Sequence, residues 1–128
     1  MAISKNVEIK VKDDKATLSE KIFIYQNDKG IDLYFGITGL NYMFPQGGFK
    51  GVYATASLMK PDGSTTLING LRFENEKIKF SITQEMTNEL TEVGTHTLQF
   101  HLHDDLNKTN RLTIPEISFE VKEQLIGN

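Results

Sequence analysis

His101 and His103 lie two residues apart and project from the same face of an alternating segment, a spacing that can present two imidazoles to one metal ion. Asp105, in the turn that follows, is the candidate third ligand. A protein metal site of this kind draws on three or four such donors, and the chain has three histidines and no cysteine. The simpler reading makes His101 and His103 solvated strand residues beside Gln99, and the expectation is a chain with no metal and no cofactor. His96 falls on the opposite, apolar face and reads as a core or rim histidine.

Other reactive groupings are equally sparse. Asp104, Asp105 and Asn107 could gather oxygens for calcium, but they do not match the twelve-residue loop with glycine at its sixth position and glutamate at its twelfth. Asp13 and Asp14 read as a solvated turn, and no two carboxylates are set apart as an acid/base couple. The absence of cysteine excludes a thiolate nucleophile, and no serine sits in a G-x-S-x-G elbow. The glycine-rich run at residues 47–51 lacks the G-x-x-x-x-G-K-[ST] order, and no helical pattern follows it. The expectation is a protein that is not an enzyme.

Aromatic residues give a different lead. Tyr34, Tyr42, Phe44 and Phe49 gather in or near the stretch NYMFPQGGFKG at residues 41–51, which joins aromatics to Pro45 and three glycines and reads as a shaped loop. Exposed rings beside glycines suit a sugar-binding or protein-binding surface, so Tyr42, Phe44 and Phe49 are the candidate interaction residues. The competing reading has them capping one end of the core.

The elements that must position these residues are short strands. Val7, Ile9 and Val11 alternate with Glu8, Lys10 and Lys12, the period-two signature of a half-buried strand. Residues 18–25 are denser and predict a strand covered on both faces or lying at a contact; Ile31, Leu33, Phe35 and Ile37 predict a core strand ending at Thr38 and Gly39. Val52, Ala54, Ala56 and Leu58 form the next inward face, KPDGST supplies a hairpin turn, and residues 64–68 return. Asn69 and Gly70 predict a further turn before two short strands carrying Leu71 to Phe73 and Ile78, Phe80 and Ile82. The one plausible helix is residues 83–90, with Thr83 as N-cap and Met86 and Leu90 on one face. Residues 95–103 alternate again, and a final pair of strands spans residues 112–114 and 117–121. The fold expected is all-β, an immunoglobulin-like antiparallel β-sandwich with at most one short helix.

Length and composition agree with one domain over residues 1–128, with residues 123–128 as a loose tail or the start of a linker. The formal charge of −3 gives no electrostatic reason to approach a nucleic-acid backbone or an anionic membrane, so neither is an expected partner. Neither a secretory signal nor a run of about 18 apolar residues is present, which predicts a soluble chain made in a cytoplasm.

The order of these signals carries a resemblance. GIDLYF at residues 30–35, LMKPDGS at residues 58–64, MTNELTEVG at residues 86–94 and ISFEV at residues 117–121 together resemble the N-terminal domain of phage baseplate upper proteins, over about residues 20–122. The resemblance implies a structural role in the tail baseplate of a long-tailed phage of Gram-positive bacteria. In that role the domain docks on the tail hub and links it to receptor-binding proteins. It implies other baseplate proteins as partners, a virion location after synthesis in the host cytoplasm, and homo-oligomers in a longer chain. It carries over no catalytic or metal residue. The family usually continues past this domain, whereas this sequence stops at Asn128, as a short relative or a piece of a longer chain. The alternative reading is a carbohydrate-binding β-sandwich module for bacterial surface glycans, motivated by the aromatic loop and the acidic turns.

Overall fold

Alternation along the chain decides which side of each strand is buried, and a computed structural model describes the result for residues 3–44, 48–104 and 110–125. The strands are β1 (Ile3–Lys12), β2 (Lys15–Leu18), β3 (Phe23–Tyr25), β4 (Ile31–Thr38), β5 (Tyr53–Met59), β6 (Thr65–Glu74) and β7 (Lys77–Ile82). A short helix, α1 (Gln84–Glu89), precedes β8 (Gly94–His103), β9 (Arg111–Thr113) and β10 (Ile117–Lys122). In β7, Ile78, Phe80 and Ile82 are buried while Lys77, Lys79 and Ser81 are partly exposed. The same rule buries Ala54, Ala56 and Leu58 of β5 and Leu98, Phe100 and Leu102 of β8.

Hydrogen bonds join the strands in the order β2-β1-β4-β7-β6-β5-β8-β10-β3, with β9 added beside β8. The chain is thus nearly all β, as expected, but the sheet is mixed rather than purely antiparallel. β1 runs parallel to β4, from Ile3 opposite Ile31 to Lys10 opposite Thr38, and β3 runs parallel to β10. A parallel pair needs a long connection to bring the chain back to the same end. Here that connection, from Lys12 to Ile31, carries β2 and β3 itself.

The sheet also curls. Four strand spacings separate β4 from β8 along the hydrogen-bonded path, roughly 19 Å if the sheet were flat. The rings of Phe35 on β4 and Phe100 on β8 nevertheless meet with centroids 5.3 Å apart, and Phe80 meets Phe35 edge-on at 6.5 Å. The half containing β1, β4 and β7 therefore folds over the half containing β5, β8 and β10, and the core lies between them.

β6 makes the corner. Its first part pairs with β5, its last residues pair with β7, and Arg72 faces Tyr53 on one side and Lys79 on the other. Between Ile68 opposite Ala56 and Leu71 opposite Ala54, β6 holds one residue more than β5, and Gly70 takes φ +76° there. This corrects the turn expected at Asn69 and Gly70: the backbone does enter the left-handed region, but as a bulge that bends a continuous strand. The chain reverses at Asn75 and Glu76, between the strands expected at residues 71–73 and 78–82, both at positive φ, in the two-residue turn that suits a twisted hairpin.

Residues 18–25 also differ from the single dense strand expected. Ser19, Glu20 and Lys21 carry the chain from β2 to β3, in opposite halves, so Ile22 and Ile24 are buried while Phe23 and Tyr25 are exposed. At α1, the Thr83 hydroxyl accepts from the Met86 amide at 3.3 Å, Leu90 is buried and Met86 packs against the core. The Thr87 hydroxyl donates to the Asp28 carbonyl at 2.6 Å, pinning the helix to the turn before β4. In the KPDGST hairpin Asp62 accepts from the hydroxyl and the amide of Ser64, and these bonds hold its carboxyl below the usual range. His96 is fully buried, stacked on Phe119 with Nδ1 3.2 Å from the Gly94 carbonyl, and its Nε2 has no hydrogen-bond partner.

Two substitutions test this architecture in denaturant unfolding. Phe100→Ala removes the ring that joins the two halves and should cost about 3–5 kcal/mol, whereas Phe23→Ala, at a half-exposed ring, should cost less than about 1 kcal/mol. Gly39 has φ +85°, and a Cβ there would run into the Val11 carbonyl oxygen. Gly39→Ala should therefore destabilise by at least about 1–2 kcal/mol despite adding one methyl group; an unchanged midpoint would contradict the close approach of the β4 exit to β1.

Candidate functional site

His101 and His103 lie on the face of β8 opposite Phe100 and Leu102, yet both are buried, at 6% and 4% exposure. This corrects the expectation of solvated strand residues. β9 pairs alongside β8 at these positions, with His101 opposite Thr113, and β5 flanks the other side. His101 Nε2 lies 3.0 Å from the Ser57 hydroxyl and Nδ1 lies 3.1 Å from the Thr113 hydroxyl. Each hydroxyl can donate or accept, so both contacts hold whichever ring nitrogen carries the proton. The ring of His103 stacks on Tyr53, with centroids 6.1 Å apart. The third ligand considered, Asp105, lies outside the described residues. Among the described residues no group of three or more His, Cys, Asp or Glu side chains is placed to hold a metal ion. Chemically, the arrangement is a hydroxyl–imidazole–hydroxyl chain that ties β5 and β9 to β8.

The aromatic residues separate into two places. Phe49 lies flat on Phe73, with centroids 4.5 Å apart and planes within 9°, beside a groove of ≈ 440 Å³ that Tyr53 and Arg72 also line. Tyr42 and Phe44 sit elsewhere, against β9, where they line a groove of ≈ 290 Å³ with Met43, Asn110, Arg111 and Leu112. Tyr42 is 72% exposed and Met43 79% exposed, whereas Phe44 is half-buried against the core. Met43 belongs with Tyr42 as surface, and the run YMF at residues 42–44 is the sequence signal for it, although an aromatic criterion selects only the rings. Tyr34 stays on β4, half-buried.

A second groove, ≈ 300 Å³, shares Tyr42 and Leu112 with the first and extends to the turn between β1 and β2. It places Asp13 and Asp14 across from Gln99 on β8, with Asn41 and Tyr42 on the loop that leaves β4. Gly39, close against Val11, holds that loop beside the turn. The acidic turn and the aromatic loop, far apart in sequence, thus line one concavity.

The sheet edges form the remaining candidate surface. β2, β3 and β9 are edges of three or four residues, a length that blunts unwanted pairing. β1 is different. β2 pairs only with residues 9–12 of it, so among the described residues positions 3–8 carry β4 on one side and no strand on the other. The Ile3 amide donates to the Gly30 carbonyl and so faces β4, while the Glu8 amide donates to the Ser19 hydroxyl on the far side. By the period of two, the backbone N–H and C=O groups of Ser4 and Asn6 point outward along that open edge. At the other end of the sheet, the outward faces of Phe23 and Tyr25 flank Lys122, whose ammonium lies 4.6 Å from the Phe23 ring centre. No helix among the described residues is long and apolar enough to cross a membrane.

No protein-family model matches the chain, and no curated protein matches it. Among solved structures, the N-terminal domain of phage TP901-1 ORF48 is similar to it, with a TM-score of 0.61 at 12% sequence identity, covering 94% of this chain and 98% of that one. At that identity the likeness is one of fold: the curled mixed sheet is shared almost from end to end.

Proposed function

We propose that this chain is a structural domain of a phage tail, an adaptor of the baseplate that docks on the tail hub and links it to receptor-binding proteins, with no catalytic activity of its own. The observation that carries the reading is the match in fold, across nearly the whole of both chains, to a domain of a phage protein. The order of GIDLYF, LMKPDGS, MTNELTEVG and ISFEV supports the same assignment. In this reading the two facing halves, joined through β6, are a variant of the immunoglobulin-like sandwich. The domain is made in the host cytoplasm and resides in the virion tail, with homo-oligomers formed in the assembled baseplate.

The open half of β1 is the docking edge in this proposal. A strand of the hub adds to it through the outward amides and carbonyls of Ser4 and Asn6, the mode in which main-chain bonds give affinity and alternate side chains give specificity. Size-exclusion chromatography with light scattering, on this chain alone and mixed with the hub protein of the same tail, tests both parts. A co-eluting complex is expected. Ser4→Pro removes an outward donor without touching the bonds to β4, so it should abolish the complex while changing stability by less than about 1 kcal/mol. A chain that ignores the hub would overturn the adaptor reading, and a complex indifferent to Ser4→Pro would overturn the edge.

A further inference from the structure

We propose that the groove between the β1–β2 turn and the Tyr42 loop binds a neutral saccharide. This goes beyond the structural role in a tail and does not rest on it. The groove of ≈ 300 Å³ adjoins that of ≈ 290 Å³ through Tyr42 and Leu112, and together they reach the size of small-molecule sites. Tyr42, 72% exposed at the junction, presents a ring face on which the C–H face of a sugar can lie.

Polar groups around that ring are available to a ligand. Of the six aspartates among the described residues, Asp28, Asp32, Asp62 and Asp104 each accept a hydrogen bond within the protein. Asp13 and Asp14, which line the groove, take part in none, and neither do the side chains of Asn41 and Gln99 beside them. Two carboxylates accept from vicinal hydroxyls, and two amides both donate and accept, which is the mixture that a polyhydroxylated ring requires. The wall beneath them is apolar, from Leu112, Ile114 and Pro115. Across the two joined grooves the carboxylates of Asp13 and Asp14 face one cation among the described residues, Arg111, so the net field disfavours phosphate-bearing or uronic-acid polymers and leaves neutral sugars as the matching class.

Nitrogen-edited NMR titration tests the assignment, using maltose, cellobiose, lactose and N,N′-diacetylchitobiose at millimolar concentration, with glucuronic acid as the charged comparison. At least one neutral disaccharide should shift the amides of residues 13–14, 39–42, 99 and 112–114 with a millimolar dissociation constant. Tyr42→Ala should weaken that binding about tenfold, and the pair Asp13→Asn with Asp14→Asn should do the same, both with an unchanged unfolding midpoint. Asparagine tolerates the φ of +56° at position 13, so the second variant keeps the turn. Blank titrations with all four disaccharides would overturn the proposal. So would shifts that survive Tyr42→Ala, or an equal response to glucuronic acid.

Discussion

The contact between Phe35 and Phe100 is the point on which the rest of the structure depends, because it joins strands that the hydrogen-bonded path keeps four places apart. A ten-stranded sheet with one apolar face cannot bury that face while flat; it must fold over or pair with another layer. Folding over requires a corner, and β6 supplies it by changing partner at Arg72 and taking an extra residue at Asn69 and Gly70. The bulge and the aromatic contact are therefore two halves of one solution. The bend brings Phe100 over Phe35, and burial of those rings, with Phe80 at the edge of Phe35, holds the bend.

Much of this was legible in the sequence, for a physical reason that also sets its limit. Alternation reports which residues share a face: Val7, Ile9, Leu33, Phe35, Ala54, Ala56, Leu58, Leu98, Phe100 and Leu102 point inward and are buried, while Val11, Ile31 and Ile37 on the same faces are partly buried against the core. Alternation is silent about partners. It could not show that β1 returns parallel to β4, because that depends on where the chain goes between Lys12 and Ile31. Nor could it show that β9 would lie beside His101 and His103, turning a face that reads as polar into a buried one. The dipeptide at Asn69 and Gly70 signals a left-handed backbone, and that conformation is there; whether such a residue reverses a chain or bends a strand is decided by the strand opposite.

The site was legible only in pieces. The aromatics of residues 41–51 and the aspartates at 13 and 14 stood out as residue types, but nothing local says that the turn between β1 and β2 faces the loop after β4. The parallel pairing of β1 with β4 brings this about, since it sends both strands to the same end of the sheet and leaves Asp13, Asp14, Asn41 and Tyr42 as neighbours there. Gly39 fixes the approach, because any other residue would collide with the Val11 carbonyl. Phe49, from the same loop, was drawn away by Phe73, whose ring offers a flat partner that Tyr42 lacks. Burial against an available ring separates a packing aromatic from a presenting one, and sequence alone does not say which rings will find partners.

The two ends of the curled sheet approach one another without pairing. β2 and β10 line opposite sides of a groove of ≈ 560 Å³, bridged by the residues that lead from β2 to β3. Were these ends to join, the main path of the sheet would close on itself as a barrel does. They do not, because the outer edge of β10 is already taken: its Glu120 amide donates to the Ile22 carbonyl, and β3 runs parallel beside it. The fold therefore spends its crossing segment on satisfying β10 and leaves residues 3–8 of β1 with a bare side. Ser19 covers the last of these positions, its amide donating to the Glu8 carbonyl and its hydroxyl accepting from the Glu8 amide. Past Ser19 the chain turns away toward β3, so the edge beyond it keeps the geometry of a strand awaiting its neighbour, at the opposite end of β1 from the groove beside Asp13 and Asp14. A partner strand and a small ligand would thus engage the two ends of the same strand without competing for space.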